Sequence, residues 1–411
     1  MSSDHLQVIV DGSITSARGF QATGVACGLK KAGALDMALV CSRRPCTAAA
    51  LFTTNAFQAA PVLYDREIVA RHPDALHGVV INSGCANACT GARGQRDAEA
   101  TAAEAGRLLG VPGEQVAVMS TGVIGAFLPM DKVRLGVNLA VQQLGSTKEH
   151  GHAAARAIMT TDTRPKEVAV RASAGGRDCV VAGMAKGAGM ISPNMATLLC
   201  VLTTDAAVAP GPAQVALREA VEAGFNLITV DGDTSTNDTA LLLANGESCM
   251  QPILSEESAG YALFREALTY VVVELAKDMV RDGEGASHFV AIRVSGARSR
   301  REAKQVAMSV AKSPLVKTAV YGRDANWGRV ACAAGYSGVE IAPQEVTIRL
   351  GNLEVFRHGE PLPLDEERAD ALLAQTDVAI HIDLGQGGDE ITVWTCDLTH
   401  AYVDVNAHYR S

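Results

Sequence analysis

A threonine that follows a glycine-rich loop has the surroundings best suited to nucleophilic chemistry. It is Thr197, in the segment KGAGMISPNMATLLC that runs from residue 186 to 200. Small residues precede it and an apolar run, 198–202, follows at once, which predicts a loop that ends where a buried strand begins. Its hydroxyl can attack the carbonyl of Ala196, and cleavage there would free its own α-amine as a base. On these residues alone, an ordinary junction between a loop and a strand is the simpler interpretation.

Six polar turns lie near the ends of predicted strands, where binding and catalytic residues of α/β proteins are often found. Any one of them fits a structural turn. Six in one chain, including the one with a candidate self-cleaving threonine, favour a shared site. They cover residues 120–122, 159–163, 186–200, 231–239, 282–285 and 322–328.

Three other patterns approach known sites but depart from them at residues that the chemistry requires. The glycines between 183 and 189 match neither the dinucleotide-binding motif nor the P-loop. Residues 231–242 alternate oxygen-bearing side chains as a calcium loop does, yet Thr236 replaces the required glycine and Leu242 the required glutamate. Residues 335–339 approach a nucleophile elbow, but Val339 stands where its second glycine should be. We therefore predict none of these sites.

The spacing of cysteine and histidine argues against a metal site. The ten cysteines are scattered from Cys27 to Cys396, many of them among Ala and Val, and no pair has CxxC spacing. His150 and His152 flank Gly151 in a predicted loop, where exposure to solvent is a better interpretation than metal binding. We expect no metal ion.

Composition and charge indicate a large globular α/β protein. Hydrophobic residues make up 48% of the 411 and charged residues 20%, which is ordinary for that class. The formal net charge is −9 and the short arginine clusters have no interleaved aromatics, which argues against a nucleic-acid surface. The N-terminal residues resemble neither a secretory signal nor a transit peptide, and no apolar run reaches membrane-spanning length. With cysteines that look like small buried hydrophobes, we expect a reducing, cytoplasmic location.

Hydrophobic periodicity predicts alternating strands and helices without a clean linker, in an α/β fold that looks α+β towards the C-terminus. Predicted strands cover residues 79–81, 115–119, 289–294, 345–350, 378–383 and 391–395. Predicted helices cover residues 98–109, 130–144, 212–224, 255–280 and 301–312. Ser255 is the predicted N-cap of the longest helix, and Gly110 is a predicted C-cap.

Four blocks of this sequence together carry a family resemblance: KGAGMISPNMATLLC at 186–200, VDGDTSTNDT at 230–239, DGEGA at 282–286 and GRDANWGR at 322–329. In residues and in order they resemble the ornithine acetyltransferases of arginine biosynthesis, also called glutamate N-acetyltransferases. The resemblance extends from residue 19 to the terminal YVDVN at 402–406, and so covers nearly the whole chain. It implies a layered αββα sandwich of the kind shared with self-processing aminopeptidases.

The resemblance also implies roles for individual residues. Self-cleavage between Ala196 and Thr197 would give an α fragment, 1–196, and a β fragment, 197–411, which form one intertwined catalytic unit. Two of each would assemble as a heterotetramer. Thr121 and Gly122 match the family's oxyanion-hole pair. The positions that match its substrate-binding residues are Thr160, Lys186, Thr197, Glu284, Asn406 and Ser411.

Some positions depart from the family's usual residues, although the nucleophile and the oxyanion pair are kept. The departures put substrate preference and rate in doubt more than the class of reaction. They are Cys85 for Asn, Ser192 for His, Ser287-His288 for Thr-Lys, Ala325 for Pro and Ser411 for a terminal Thr.

Chemistry and resemblance lead to the same mechanism. Thr197 Oγ attacks the acetyl group of N-acetylornithine while its α-amine, with a reference pKa near ~8, accepts the proton. Thr121 and Gly122 stabilise the oxyanion, ornithine leaves, and the amine of glutamate takes the acetyl group from the threonine. By charge, Lys186 suits a substrate carboxylate and Glu284 an ornithine ammonium group. No metal or organic cofactor is needed, and use of acetyl-CoA as a second donor stays open.

Two alternatives remain. A self-processing aminopeptidase of the same fold would share the cleavage but hydrolyse the acyl-enzyme. A non-catalytic sugar- or amino-acid-binding protein would use the polar turns as recognition loops and would stay a single chain.

Overall fold

The computed structural model describes residues 5–31, 33–192 and 198–408, which contain two β-sheets and eleven α-helices. The strands are β1 Leu6–Val8, β2 Phe20–Val25, β3 Met37–Phe52, β4 Leu76–Cys85, β5 Val116–Val123, β6 Lys166–Ala174, β7 Arg177–Lys186, β8 Leu199–Thr204, β9 Thr239–Ala244, β10 Phe289–Ala297, β11 Thr347–Leu350, β12 Leu353–Arg357, β13 Glu360–Pro361, β14 Asp377–Asp383 and β15 Asp389–Cys396. The helices are α1 Ala60–Arg71, α2 Gly91–Leu109, α3 Met130–Gln142, α4 Lys148–Ala157, α5 Pro210–Ala223, α6 Tyr261–Arg281, α7 Arg300–Ala311, α8 Pro314–Tyr321, α9 Trp327–Gly335, α10 Glu366–Leu373 and α11 His400–His408.

The larger sheet has the strand order β1-β6-β7-β8-β9-β3-β4-β5, with β2 also paired to β3. The parallel strands β8 and β9 lie near its middle, and both of their faces are buried. Along β8, Cys200 and Leu202 pack in the cluster that includes α5 and α6, whereas Leu199 and Val201 pack on the opposite face. A strand that is buried on both faces has apolar residues at consecutive positions. This explains the apolar run that follows residue 197.

The long strand β3 joins two halves of this sheet. Its first part, from Met37, pairs with β2 and β4, and its second part, from Thr47, pairs with β9. The Asn237 side chain, just before β9, bonds to the Ser120 carbonyl oxygen of β5, although β3 and β4 separate those strands in the sheet order. The two halves therefore stack face to face.

Apolar side chains fill the layer between the halves and both outer faces. The inner layer includes Ile81 of β4 and Leu241 of β9. Outside β2–β5, Leu39 packs with Val133 and Val137 of α3. The order of layers is helix, sheet, sheet, helix, so the predicted α/β fold and αββα sandwich are confirmed.

The smaller sheet has the order β13-β12-β11-β14-β10-β15. Helices α7, α9 and α10 contribute side chains to its core, such as Val306, Ala333 and Ala369. An isolated bridge joins Trp394 of β15 to Ile228, which lies in the segment between α5 and β9. The C-terminal part thus has the α+β character that the sequence predicts.

Several sequence-based boundaries are wrong. The longest helix begins at Tyr261 with Gly260 as its N-cap, not at Ser255, because residues 255–260 form turns in which the Ser258 hydroxyl accepts the Ser255 N–H. His150 and His152 lie in α4 rather than in a loop. His152 is partly buried and pairs with Glu167 through Nδ1 at 2.8 Å. The predicted C-cap Gly110 is confirmed, with φ +76°.

Two further observations concern membrane-spanning helices and the state of the cysteines. Within residues 5–31, 33–192 and 198–408, no helix is both long and apolar enough to cross a membrane. The ten cysteines are all unpaired, and seven of them are buried.

Candidate active site

The strand ends of the stacked halves meet at one edge of the sandwich. Lys186 at the end of β7 pairs with Leu199 at the start of β8, which pairs with Thr239 at the start of β9. From the other half, β4 and β5 end beside each other at Cys85 and Val123. The polar turns at 120–122, 186–200 and 231–239 belong to these strand ends or to the loops beside them, whereas the turn at 159–163 precedes β6 and the turn at 282–285 follows α6. Five of the six turns contribute residues to the pocket described below.

Thr121 and Gly122 form the end of β5, where it runs parallel to β4. Gly122 has φ +131°, a conformation that side-chain-bearing residues rarely adopt, and it pairs with Gly84. A Cβ added at Gly122 would lie 2.3 Å from the Gly84 carbonyl carbon. Only glycine therefore allows the two backbones to approach this closely beside Thr121.

Lys186 is a buried cation directly beside Thr121. Its Nζ donates to Thr121 Oγ1 at 3.4 Å, and its exposed fraction is 4%. Burial lowers the pKa of Lys186, while the charges of Asp162 and Glu284 oppose that effect. Among the described residues, Thr121 Oγ1 is the one acceptor bonded to this ammonium group, so further donors are available to an anion in the pocket.

Asn237 fixes the distance between the two halves at the pocket. Its Nδ2 donates to the carbonyl oxygens of Ala86, at 2.7 Å, and Ser120, at 2.8 Å. The Thr236 hydroxyl in turn donates to Asn237 Oδ1 at 2.6 Å. Because Ser120 immediately precedes Thr121, these bonds hold the predicted oxyanion residues against the β9 side of the pocket. The sequence marked this turn but did not single out Asn237.

The predicted nucleophile and cleavage residue, Thr197 and Ala196, lie outside the described residues. On the C-terminal side, Leu198 is buried, and its N–H donates to Asp238 Oδ1 at 3.0 Å. Its carbonyl oxygen accepts the Thr239 N–H at 3.1 Å. These two bonds fix Leu198 to Asp238 and to Thr239, the first residue of β9.

Glu284 and Asn406 close the pocket from the C-terminal part of the chain. Asn406 Nδ2, on α11, donates to Glu284 Oε2 at 2.8 Å. The Glu284 N–H donates to the Ala188 carbonyl oxygen at 2.8 Å, and a Cβ added at Gly189 would lie 2.3 Å from Glu284 Oε2. The glycines of the 186–200 segment thus leave room for the carboxylate. Ser411, the last predicted substrate residue, lies outside the described residues.

These groups line one pocket with a volume of about 130 Å³. It contains six of the predicted site residues and others that the sequence did not single out, among them Ala86, Ile124 and Met190. The lining residues are Ala86, Thr121, Gly122, Ile124, Thr160, Thr161, Lys186, Gly189, Met190, Ser235, Thr236, Asn237, Glu284 and Asn406.

The sixth polar turn, 322–328, is not part of this pocket. Its Trp327 stacks on Phe356 of the smaller sheet, with ring centroids 5.1 Å apart, and packs in that core. Ala325, one of the departures from the family pattern, belongs to the same region. This turn therefore has a structural role in the C-terminal part.

Other departures are also accommodated away from the pocket lining. Cys85 is buried, with its thiol 3.3 Å from the Ala126 carbonyl oxygen. Ser192 is also buried. Ser287 and His288 both bond to Asp397, whose carboxylate accepts their backbone N–H groups at 2.9 and 3.1 Å.

The part of the chain that the structure describes contains no cluster of three or more His, Cys, Asp or Glu side chains that could hold a metal ion. The pocket instead combines one buried ammonium group, one carboxylate, and several hydroxyl and amide groups. Such a set suits a small zwitterionic ligand whose carboxylate and amine are recognised separately.

The fold and the site thus define a class of protein: mixed α/β sandwiches with a hydroxyl-rich pocket between two stacked sheet halves. The model of the ArgJ family matches residues 21–411. The arginine biosynthesis bifunctional protein ArgJ of Symbiobacterium thermophilum is 48% identical over 402 residues, which is 97% of this chain and 99% of that protein. The mitochondrial ArgJ protein of Schizosaccharomyces japonicus is 46% identical over 410 residues, 97% and 94% of the two chains.

Solved structures also match. One is the ornithine acetyltransferase of Mycobacterium tuberculosis in complex with ornithine, 40% identical, covering 47% of this chain and 100% of that one, with a TM-score of 0.43. Another is the ArgJ protein of Bacillus halodurans, 41% identical, covering 46% and 98%, with a TM-score of 0.44. By its family model and its curated relatives, this chain belongs to the ArgJ family, and the resemblance found in the sequence is confirmed.

Proposed function

We propose that this chain transfers the acetyl group of N-acetylornithine to glutamate, giving ornithine and N-acetylglutamate. One observation carries the proposal: Lys186 and Glu284, of opposite charge, line the same small pocket as Thr121 and Gly122. An α-amino acid presents a carboxylate and a basic nitrogen, which match these two charges. The family membership supports the same reaction, since the relatives are named as arginine biosynthesis proteins.

In the proposed reaction, Thr197 Oγ forms a bond to the acetyl carbon of N-acetylornithine, and its proton passes to the α-amine of the same residue. The tetrahedral oxyanion is stabilised by the Thr121 hydroxyl and the Gly122 N–H. The amide C–N bond then breaks, and the ornithine amine leaves with the proton. The glutamate amine attacks the acetyl-threonine in the reverse sequence. This route needs no metal ion or organic cofactor.

The nucleophile requires a free N-terminus, so we propose that the chain cleaves itself between Ala196 and Thr197. The fragments 1–196 and 197–411 stay together, because strands from both pair within the larger sheet: β7 from the first pairs with β8 from the second. As the sequence resemblance implies, two copies of each fragment form a heterotetramer. Ten unpaired cysteines support the cytoplasm as its location.

The test is a transfer assay on protein whose fragments have been identified. Purified protein is expected to show two bands, and the fragment 197–411 should begin with the N-terminal sequence TLLCVLTTD. Radiolabelled acetyl from N-acetylornithine should move to glutamate faster than it is released as acetate. Release of acetate in preference to transfer would favour the self-processing hydrolase instead.

Thr197→Ala is the matched control, since it removes only the hydroxyl and one methyl group. It should remain a single inactive chain. A wild-type protein that is fully active as an uncleaved chain would refute the mechanism. In the same assay, formation of N-acetylglutamate from acetyl-CoA would distinguish a bifunctional enzyme from a monofunctional one.

A further inference from the structure

A buried ion network lies directly behind the pocket. Lys166, on β6, has an exposed fraction of 0%, and its Nζ donates to two carboxylates. The acceptors are Asp162 Oδ1, at 2.5 Å, and Asp282 Oδ2, at 2.6 Å. Three charges removed from water are costly unless each is bonded and paired, and here each is.

Asp162 extends this network to two walls of the pocket. Its Oδ2 accepts the Thr160 N–H at 2.9 Å, and its Oδ1 also accepts the Gly187 N–H at 2.7 Å. Thr160 lines the pocket, and Gly187 follows Lys186, which also lines it. One carboxylate therefore fixes the position of two segments that come from different parts of the chain.

Asp282 connects the network to a third part of the pocket wall, the 282–285 turn. It accepts the Thr163 N–H at 3.1 Å through Oδ2, and it lies two residues before Glu284. The Lys166 ammonium thus links the 160–163 turn to the 282–285 turn. Loss of a charge in this network is expected to change the pocket rather than the sandwich core.

Besides these hydrogen bonds, the negative charge of Asp162 acts on the Lys186 ammonium group. In the described part of the chain, no carboxylate oxygen lies within ion-pair distance of Lys186 Nζ. Burial lowers the pKa of Lys186, and Asp162 is the largest influence that raises it. The other charged groups that act on Lys186 are Lys166, Glu284, Asp238 and Lys30.

The groups around Asp162 favour its ionised form. Burial is the largest single influence on its pKa and raises it, but the charges of Lys186 and Lys166, with the hydrogen bonds from Lys166 and the Gly187 N–H, together hold this pKa well below its usual range.

We propose that Asp162 is a positioning residue for the substrate carboxylate: it fixes the Thr160 and Gly187 backbones and supplies the negative charge that keeps Lys186 cationic. This inference rests on the proposed function, in which Lys186 binds that carboxylate. Asp162 itself does not line the pocket and does not contact substrate.

The experiment measures KM and kcat for N-acetylornithine against pH in the wild type and in Asp162→Asn. Asparagine keeps the shape of the side chain and one carbonyl oxygen but removes the charge. KM is expected to rise at least about tenfold, with a smaller change in kcat. The pH at which KM begins to rise should move to lower values, because loss of a nearby negative charge lowers the pKa of an ammonium group.

Asp178→Asn is the matched control. Asp178 also accepts from a cation, Arg18 at 2.9 Å, but lies outside the pocket, so its KM profile should match the wild type. If Asp162→Asn has the wild-type KM at every pH, the inference is wrong. The wild type tests the proposed function separately. If the wild type is cleaved and active in the same assay, the proposed function stands even when the inference fails, whereas an inactive wild type overturns the proposed function.

Asp162→Glu provides a second measurement should the asparagine variant not fold. It keeps the charge but moves the carboxylate by one methylene group. We expect this variant to have a higher KM. The pH at which its KM begins to rise should equal that of the wild type, since the Lys186 ammonium group keeps its counter-charge. A wild-type KM, or a rise in KM that begins at lower pH, would contradict the inference.

Discussion

The N–H of Leu198 donates to the Asp238 carboxylate at 3.0 Å, and Leu198 is the residue that follows the predicted nucleophile. The α-nitrogen of residue 197 is three covalent bonds from the Leu198 nitrogen, so the two atoms are at most about 4 Å apart. Asp238 is fully buried, and its Oδ2 has no hydrogen-bond partner within the described residues. Burial raises the pKa of this carboxyl well above its usual range. A cation released beside it would stabilise its ionised form.

The first prediction concerns Asp238→Asn. In the proposed reaction the α-amine becomes an ammonium ion as the threonine attacks, and a carboxylate beside it stabilises that ion. The variant should therefore lose kcat on the order of 10²-fold. The acid limb of its kcat profile should move to lower pH, because removing an opposite charge lowers the pKa of an amine. Steady-state kinetics on cleaved protein across pH measures both effects.

Asp65→Asn is the control for that substitution. Asp65 is equally buried, accepts one backbone N–H, from Val118 at 2.8 Å, and likewise has an Oδ2 without a partner in the described chain. It does not line the pocket. Equal kinetic effects in the two variants would show that the loss is a general consequence of changing a buried carboxyl group.

The second prediction concerns Thr121→Ala. If the Thr121 hydroxyl stabilises the oxyanion, its loss should lower kcat by roughly 10²–10³-fold with little change in KM. Self-cleavage should also slow, because it passes through a tetrahedral intermediate of its own. Thr101→Ala, which removes a hydroxyl bonded within α2, should leave both rates unchanged. A rise in KM alone would instead make Thr121 a binding residue.

Sequence periodicity predicts individual buried elements and the pocket turns better than it predicts the path of β3, and the layering is implied only by the family resemblance. The apolar run after residue 197 and the helical spacing in 98–109 each arise from local burial, which periodicity records. Strand β3 spans sixteen residues, and its middle residues Arg43 and Arg44 are exposed. A strand that passes between two half-sheets combines two burial patterns, so no single period identifies it.

The tertiary bonds around the pocket could not be predicted for a similar reason. Asn237 and Ser120 are 117 positions apart, and the Lys166 network includes a bond between Thr163 and Asp282, which are 119 positions apart. Spacing along one element carries no information about such pairs. The turn at 322–328 shows the converse: its sequence block belongs to the family, but Trp327 stabilises a separate core by stacking. A motif alone does not separate structural from functional blocks.

The third prediction concerns Gly122→Ala. Its Cβ would meet the Gly84 backbone at 2.3 Å in addition to the strain of φ +131°, so β4 and β5 must separate. We expect a loss of about 1–3 kcal/mol in the free energy of unfolding and a severe loss of transfer activity. Gly125→Ala is the matched control, since φ there is +84° but no atom lies within 4 Å of its Cβ. Denaturant unfolding and transfer rates compare the two, and equal losses would rule out the close approach as the cause.

The last prediction concerns the C-terminal tail. Asn406 Nδ2 bonds to Glu284 in the pocket, and Tyr402 on the same helix donates its hydroxyl to Asp231 Oδ2 at 3.4 Å. Deleting residues 406–411 should leave cleavage before residue 197 intact, because that step needs no substrate. Transfer to glutamate should fall steeply, since Glu284 loses the amide that orients it.

Asn406→Ala isolates that bond from the rest of the tail, and His408→Ala on the exposed end of α11 is its control. The asparagine variant should raise KM for N-acetylornithine about tenfold, which corresponds to the loss of one hydrogen bond to a charged group. The histidine variant should behave as the wild type. A tail deletion with wild-type kcat/KM for both substrates would show that the tail does not act on the pocket.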